Sequence, residues 1–336
     1  MKISWKQRLF GIPEKETRFA TRGYEPCDPD MQRFLENIIR EFVAGYHLAL
    51  NVGNPDQLIA QLESKFDKHH VGFAYEGTGM YFSLLDFFFP WGASRLRAFT
   101  DYVGNKHDYI ITVGAGFAVG RLPWGPLMLE HYMRKIDPRK AWCVPDGYGF
   151  HQGIFHHKAY IGQCKAPPRW IRPYARQLFD SGIGRSLWWV MGASPERIKQ
   201  AIHRFPEPRQ AELWCGIGVA CSYAGGVDEH ALLKLREFSG QYLFDFLSGI
   251  PFAARMRYDG GNSSPYTERA CRVLLNMTLE EAADITVQVV EKLNRENMDD
   301  TETREQAYTL VRQNIMRQLQ NATVDAGQKA AGSYAG

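Results

Sequence analysis

The chain has 336 residues, of which 45% are hydrophobic and 13% aromatic. That is enough apolar material for one large domain or two smaller ones. The formal net charge of +3 gives no general electrostatic reason to expect nucleic acid or an anionic membrane as a partner. Six cysteines, at 27, 143, 164, 215, 221 and 271, form no C-x-x-C, so neither a zinc ribbon nor a thioredoxin-like site is signalled. Reduced, buried thiols and a cytoplasmic location are the expectation.

The opening "MKISWKQRLFGIPEKETRF" is too charged, and its apolar run too short, for a signal peptide. Residues 1–30 read as an N-terminal extension. "DMQRFLENIIREFVAGYHLAL" then places Phe34, Ile38, Phe42 and Tyr46 four apart, which keeps one helix face apolar. "NPDQLIAQLESKF" offers Asn54 as a cap with Pro55 at the first helical position, and "SPERIKQAI" repeats that start with Ser194 and Pro195. The longest apolar stretch, Met80–Ala93, is interrupted by Asp86 and Pro90. It falls short of the roughly 20 residues a spanning helix requires, so no transmembrane segment is expected. "DEHALLKLREFSGQYLFDFL", "TLEEAADITVQVVEKLNRE" and "DDTETREQAYTLVRQNIMRQLQ" are periodic as helices. The cluster "NMDDTE" reads as a solvated helix start.

Two segments lie over each other. Gly77 and Gly79 of "EGTGMYFSLLDFF" match Gly182 and Gly184 of "SGIGRSLWWVMGA". Gly114 and Gly116 of "VGAGFAVGR" match Gly216 and Gly218 of "CGIGVACSY". Partial copies flank them, Gly153 aligning with Gly249 and Gly45 marking an earlier one. The unit is about 100 residues long, which points to a repeat or duplicated architecture. Glycine inside a helix costs about 1 kcal/mol relative to alanine, so the pairs suggest close approach of backbones or a shared bend. Lacking a preceding strand or a P-loop lysine, they do not read as nucleotide-binding loops. The fold expected is mainly α, with helices stacked in antiparallel pairs as a helical repeat, TPR-like, or as a pseudo-symmetric bundle. One domain covers 31–320, with duplicated halves at about 43–145 and 146–250 and C-terminal helices after them. The tail 321–336 is expected to be disordered.

The words "RFATRGY" (18–24), "GFAYEGTGM" (72–80), "VGAGFAVGRLPW" (113–124), "DGYGFHQGIFH" (146–156), "FDSGIGRSLWW" (179–189) and "GIGVACSYAGG" (216–226) resemble an uncharacterised bacterial family, domain of unknown function 1702. The resemblance implies a setting rather than a mechanism. Members of that family occur in gene clusters for enediyne polyketides, beside the synthase that makes a linear polyene, and in other bacterial contexts. No cofactor, metal or catalytic residue follows from it.

Candidate site residues come from the residues themselves. His151, His156 and His157 crowd "DGYGFHQGIFHHK" and align with the apolar Leu247, Phe252 and Ala253 of the later copy, which favours function. Helix geometry pulls the other way. At about 100° per residue, His156 lies roughly 140° from His151, and His157 about 120° from it on the other side. A metal held by two of them needs a broken helix, which Gly147, Gly149 and Gly153 would permit. Otherwise one histidine serves as an acid–base or substrate-contacting group, or all three are structural.

Glu76, Asp146, Asp180 and Arg185 are charged residues in apolar surroundings and must be paired when buried. Either an Asp180–Arg185 or Glu76–Arg pair locks the helices, or these groups converge with a histidine on a cavity. "FSLLDFFFPW" and "SLWWV" would supply an aromatic lining suited to a long unsaturated chain, or ordinary core. The sequence shows no G-x-S-x-G elbow, EF-hand loop, C-x-x-C-H or Asp-rich diphosphate motif. The expected function is an accessory or tailoring enzyme of secondary metabolism, acting on an apolar, polyene-like intermediate of unknown reaction type. The alternative is a helical-repeat scaffold that docks other proteins encoded in the same cluster. Cofactor and metal are left open.

Overall fold

Helix starts are written in side chains. Asp28 accepts hydrogen bonds from the backbone N–H groups of Asp30 and Met31, and Pro29 follows at the first helical position. Asn54 and Ser194 accept in the same way from Gln57 and Arg197, each with a proline next. The computed structural model describes residues 4–137, 139–294 and 308–321, and among them all regular structure is helical. "NMDDTE" and all of the tail beyond residue 321 lie outside the described residues.

The helices are α1 (Trp5–Phe10), α2 (Phe19–Arg22), α3 (Pro29–Asn51), α4 (Pro55–Lys65), α5 (Val71–Phe88), α6 (Arg95–Val103), α7 (Asp108–Arg121), α8 (Gly125–Met133) and α9 (Cys143–Phe155). After a π-turn at Lys158–Gly162 come α10 (Pro173–Val190), α11 (Pro195–His203), α12 (Glu207–Tyr223), α13 (Glu229–Ser239), α14 (Leu243–Gly260), α15 (Pro265–Ala270) and α16 (Leu279–Asn294). A last helix, α17, covers 308–321.

Seven of these form one continuous array in the order α3, α5, α7, α9, α10, α12, α14, each packed on the next, with α16 continuing it. Neighbours within the array run in the same direction, and the antiparallel pairs expected are those of an array helix with a short return helix, such as α5 with α6 and α7 with α8. Phe34 near the start of α3 meets His70 at the start of α5, while Tyr46 near the end of α3 meets Tyr81 further along α5. The short helices α4, α6, α8, α11 and α13 carry the chain back between steps. Parallel packing follows from that return, as in any helical repeat with a two-helix unit.

The glycine pairs set the spacing. Residues two apart on a helix point about 200° from each other, so one glycine of a pair faces the preceding helix and the other the following one. A Cβ at Gly77 would collide with the Phe42 carbonyl of α3, and one at Gly79 with the Ile111 carbonyl of α7. Gly182 and Gly184 repeat this against Asp146 of α9 and Leu213 of α12. So do Gly114 and Gly116, Gly147 and Gly149, and Gly216 and Gly218. The pairs recur about every 35 residues, and the interval of about 100 read from the sequence spans three steps. Position 146 falls inside α9 rather than at a boundary. Gly153 faces Ser186 of the following helix whereas Gly249 faces Cys215 of the preceding one. Their environments therefore differ, and the alignment that set the histidines against apolar residues loses its geometric basis.

The array coils. Trp189 of α10 donates to the Leu35 carbonyl of α3 at 3.3 Å. Phe73 of α5 packs on Tyr223 of α12, and His107, preceding α7, abuts Gly260 of α14. Each helix thus meets the fourth one along, so the coil has about four helices per turn. Arg257 clamps the turns: its buried guanidinium donates to the carbonyls of His69, Tyr223 and Asn262. The array helices are consequently buried on nearly all sides. In α10 every residue from Leu178 to Val190 is buried, as expected for a helix at the centre of a large core. Among the described residues no helix is long and apolar enough to cross a membrane.

Candidate functional site

The inner faces of the coil leave two apolar chambers on its axis. The lower is lined by Phe42 of α3, Phe73 and Glu76 of α5, Phe117 of α7, Phe150 of α9 and Trp189 of α10. The upper is lined by Tyr109 of α7, Trp142 and Asp146 of α9, Arg185 of α10, Phe252 of α14 and Tyr308 of α17. Their free volumes are about 40 and 80 Å³. Those volumes hold small groups; a drug-sized ligand occupies several hundred Å³. A longer chain enters only by displacing lining side chains.

Glu76, Asp146 and Arg185 stand where the chambers meet, on three different helices. Arg185 forms an ion pair with Asp146, and its Nη2 lies 3.9 Å from Glu76 Oε1. Ser181 Oγ donates to Asp146 Oδ1 at 3.0 Å. The guanidinium also lies over the Phe150 ring, 4.5 Å from its centroid. Glu76 is 1% exposed, and its Oε1 has no hydrogen-bond partner. Burial pushes the Glu76 carboxyl up to about 8. Arg185 opposes that rise, and the Asp146 carboxylate adds to it. One guanidinium thus balances one carboxylate, and Glu76 holds its proton near neutral pH. A neutral acid with a cation beside it can release its proton and leave a stabilised carboxylate, the requirement for reversible proton transfer.

The other expected residues lie elsewhere. Asp180 faces away from Arg185 and receives a two-pronged bond from Arg209, at 2.6 and 2.9 Å. Arg209 also donates to the Cys164 carbonyl at 2.7 Å, so this pair fastens the stretch after the π-turn to α10. Two of the three histidines approach each other, the His151 and His156 rings lying 6.1 Å apart between centroids, while His157 turns to Tyr24. Helix α9 runs unbroken through Gly147, Gly149 and Gly153 and ends at Phe155. His151 is buried, stacked on Phe155 at 4.5 Å and pressed against Gly120. Its Nδ1 has no partner, and burial holds its pKa well below the ordinary value. His156 is exposed, and His157 packs its ring edge on Tyr24. Both border a surface hollow with Glu16 and Arg22. Among the described residues no group of three or more His, Cys, Asp or Glu is placed to hold a metal.

The aromatic words also divide. Trp189 lines the lower chamber, but Trp188 is core, and Phe88, Phe89 and Trp91 are exposed. Asp86, which interrupts the apolar run, accepts from Ser94 Oγ at 2.6 Å and from the Arg95 backbone N–H at 2.7 Å. It fixes the turn into α6.

Sequence reasoning missed the far end of the upper chamber. Tyr308 donates to Glu212 Oε2 at 3.0 Å, and Arg312 forms ion pairs with Glu212 and Asp245. The only signal was an arginine inside the apolar periodicity of "TLVRQNI", 67 and 100 residues from its two partners. Cys143 and Cys215 also line this chamber. Burial raises both thiols, Cys215 to about 12, which leaves them un-ionised and unreactive at neutral pH.

The model of a protein family described as "Protein of unknown function (DUF1702)" matches residues 2–319, and the chain belongs to that family. No curated protein and no solved structure matches it.

Proposed function

We propose that this member of the family is an accessory or tailoring enzyme of bacterial secondary metabolism, acting on an apolar, polyene-like intermediate drawn into the axial chambers. The observation that carries this reading is Glu76: a buried acid with an unbonded oxygen, set between two apolar chambers with Arg185 at 3.9 Å. A double-bond shift is the reaction that needs only these groups. The Glu76 carboxyl gives its proton to one carbon of a conjugated chain and becomes a carboxylate beside Arg185. It then takes a proton from another carbon, so atoms and charge balance. The aromatic walls supply the apolar contact, and Arg185 supplies the charge that makes the carboxylate accessible. Six free thiols favour a cytoplasmic setting. The scaffold reading uses the same array, but its binding surface would have to lie on the outside of the coil.

The test is deletion of the gene in its host, with profiling of the intermediates that accumulate. Build-up of an apolar polyene, relieved by the wild-type gene and by His156→Ala but not by Glu76→Gln, is expected. Full relief by Glu76→Gln overturns the assignment of Glu76. An unchanged metabolite profile on deletion overturns the enzymatic reading.

A further inference from the structure

Because the array helices are parallel, their C-terminal ends share one rim, and that rim is unusual. Two turns there have the same sequence, Pro90-Trp91-Gly92 after α5 and Pro123-Trp124-Gly125 after α7. Trp91 is 71% exposed, and Phe88, Phe89, Trp124 and Leu127 are exposed around it. Phe88 packs edge-on to Trp124 at 6.1 Å, and Phe89 to Trp91 at 6.0 Å. Helix α1 lies across the end of α3, held by Gln7 to His47 at 2.9 Å and by Tyr46 Oη donating to the Phe10 carbonyl at 2.9 Å. It presents Trp5, Leu9 and Phe10 outward. Eight of the thirteen exposed large apolar side chains among the described residues therefore sit on this one rim.

The charge there has one sign. Segments 4–12, 88–97 and 121–129 contain Lys6, Arg8, Arg95, Arg97 and Arg121 and no Asp or Glu. Asp86 beneath the rim pairs with Arg95, and Asp101 faces Arg97 at 3.8 Å. Lys6, Arg8 and Arg121 are left to face outward, and Lys135 reaches the Pro90 carbonyl at 3.1 Å. The overall charge of +3 conceals this local concentration.

We propose that this rim docks on the surface of an anionic phospholipid bilayer. Exposed tryptophans favour the headgroup level of a membrane. A short helix with Trp, Leu and Phe outward and flanking Lys and Arg lies in that interface, and its cations add attraction to anionic lipid. The occupant is lipid rather than a protein partner because exposed rings and cations are interspersed along the rim, with no carboxylate in the three segments that form it. The lower chamber lies beneath it: Ile12, two residues beyond Phe10, lines that chamber, as do Arg22, stacked on Phe155 at 4.0 Å, and its ion-pair partner Glu16. An apolar ligand dissolved in the bilayer reaches the chamber from there. This route rests on the function proposed above; the docking does not.

The experiment is co-sedimentation of the full chain with vesicles of phosphatidylcholine alone or mixed with phosphatidylglycerol. Binding only to the mixed vesicles, weakened by salt and reduced at least about tenfold in the double variant Trp91→Ala, Trp124→Ala, is the expected result. Both side chains are exposed, so an unchanged melting temperature shows that the variant folds. Absence of binding to mixed vesicles overturns the proposal, as does binding that the double variant retains. A concentration-dependent dimer lost in the double variant, without vesicle binding, assigns the rim to self-association and equally overturns it.

Discussion

Glu76 differs from Asp180 and Arg312 in what it lacks. Asp180 has a full fork from Arg209, and Arg312 has two carboxylates. Glu76 has a cation at 3.9 Å and an oxygen with no donor. A carboxyl raised in the folded state to about 8 keeps its proton there while the unfolded chain ionises near its ordinary value of 4.5. Its contribution to stability is therefore greatest at low pH. It falls as pH rises from about 4.5 to about 8, then levels off. The melting temperature of the wild type is expected to fall across that window relative to Glu76→Gln, by an amount equivalent to several kcal/mol. A constant difference between the two proteins contradicts it. Glu76, Asp146 and Arg185 were legible in the sequence as charges in apolar surroundings. Asp180 was grouped with them because it lies close by in sequence. Five residues apart on a helix place two side chains about 140° apart, so Asp180 and Arg185 serve different neighbours. The three imidazoles within seven residues straddle a helix end: His151 and His156 lie 6.1 Å apart between ring centroids, and His157 packs on Tyr24 instead.

At the scale of the element, the glycine pairs are the feature the sequence displayed most openly. Close approach of backbones was the expectation and is what the array shows. The direction of packing was not legible, because a face-to-face glycine contact looks the same in parallel and antiparallel neighbours. The short return helices decide it, and their amphipathic periodicity resembled that of any surface helix. Nor was the true step evident, since the words most alike to the eye are three helices apart. The consequence is a sharp contrast between glycines. Gly182→Ala drives a methyl into the Asp146 carbonyl of α9, where rigid backbone cannot yield, and is expected to cost about 3 kcal/mol or more. Gly53→Ala, in the open loop after α3 with nothing near its Cβ, is expected to stay within about 0.5 kcal/mol of the wild type. Urea denaturation of the two variants checks this, and equal midpoints contradict it.

For the whole molecule, the coil of about four helices per turn explains why a polar site exists at all. So tight a coil brings α5 beside α10, although some 100 residues separate them, and so lets Glu76 meet Arg185. A wider repeat would leave an open concave surface and no enclosed axis. The same coil gathers the helix ends onto one rim, beneath which the lower chamber lies. Nothing in local periodicity encodes this closure. It follows from Arg257, His69 and Tyr223 joining successive turns, contacts made between segments distant in the chain. One protonation state, at the point where the chambers meet, decides the proposed chemistry. The infrared carbonyl band of a neutral carboxylic acid, taken as the difference between wild type and Glu76→Gln and followed with pH, reads it directly. A difference band present at pH 7 that disappears with a midpoint near 8 is predicted. A band already gone above pH 5 would show Glu76 ionised at neutral pH and contradict its assignment as the proton donor.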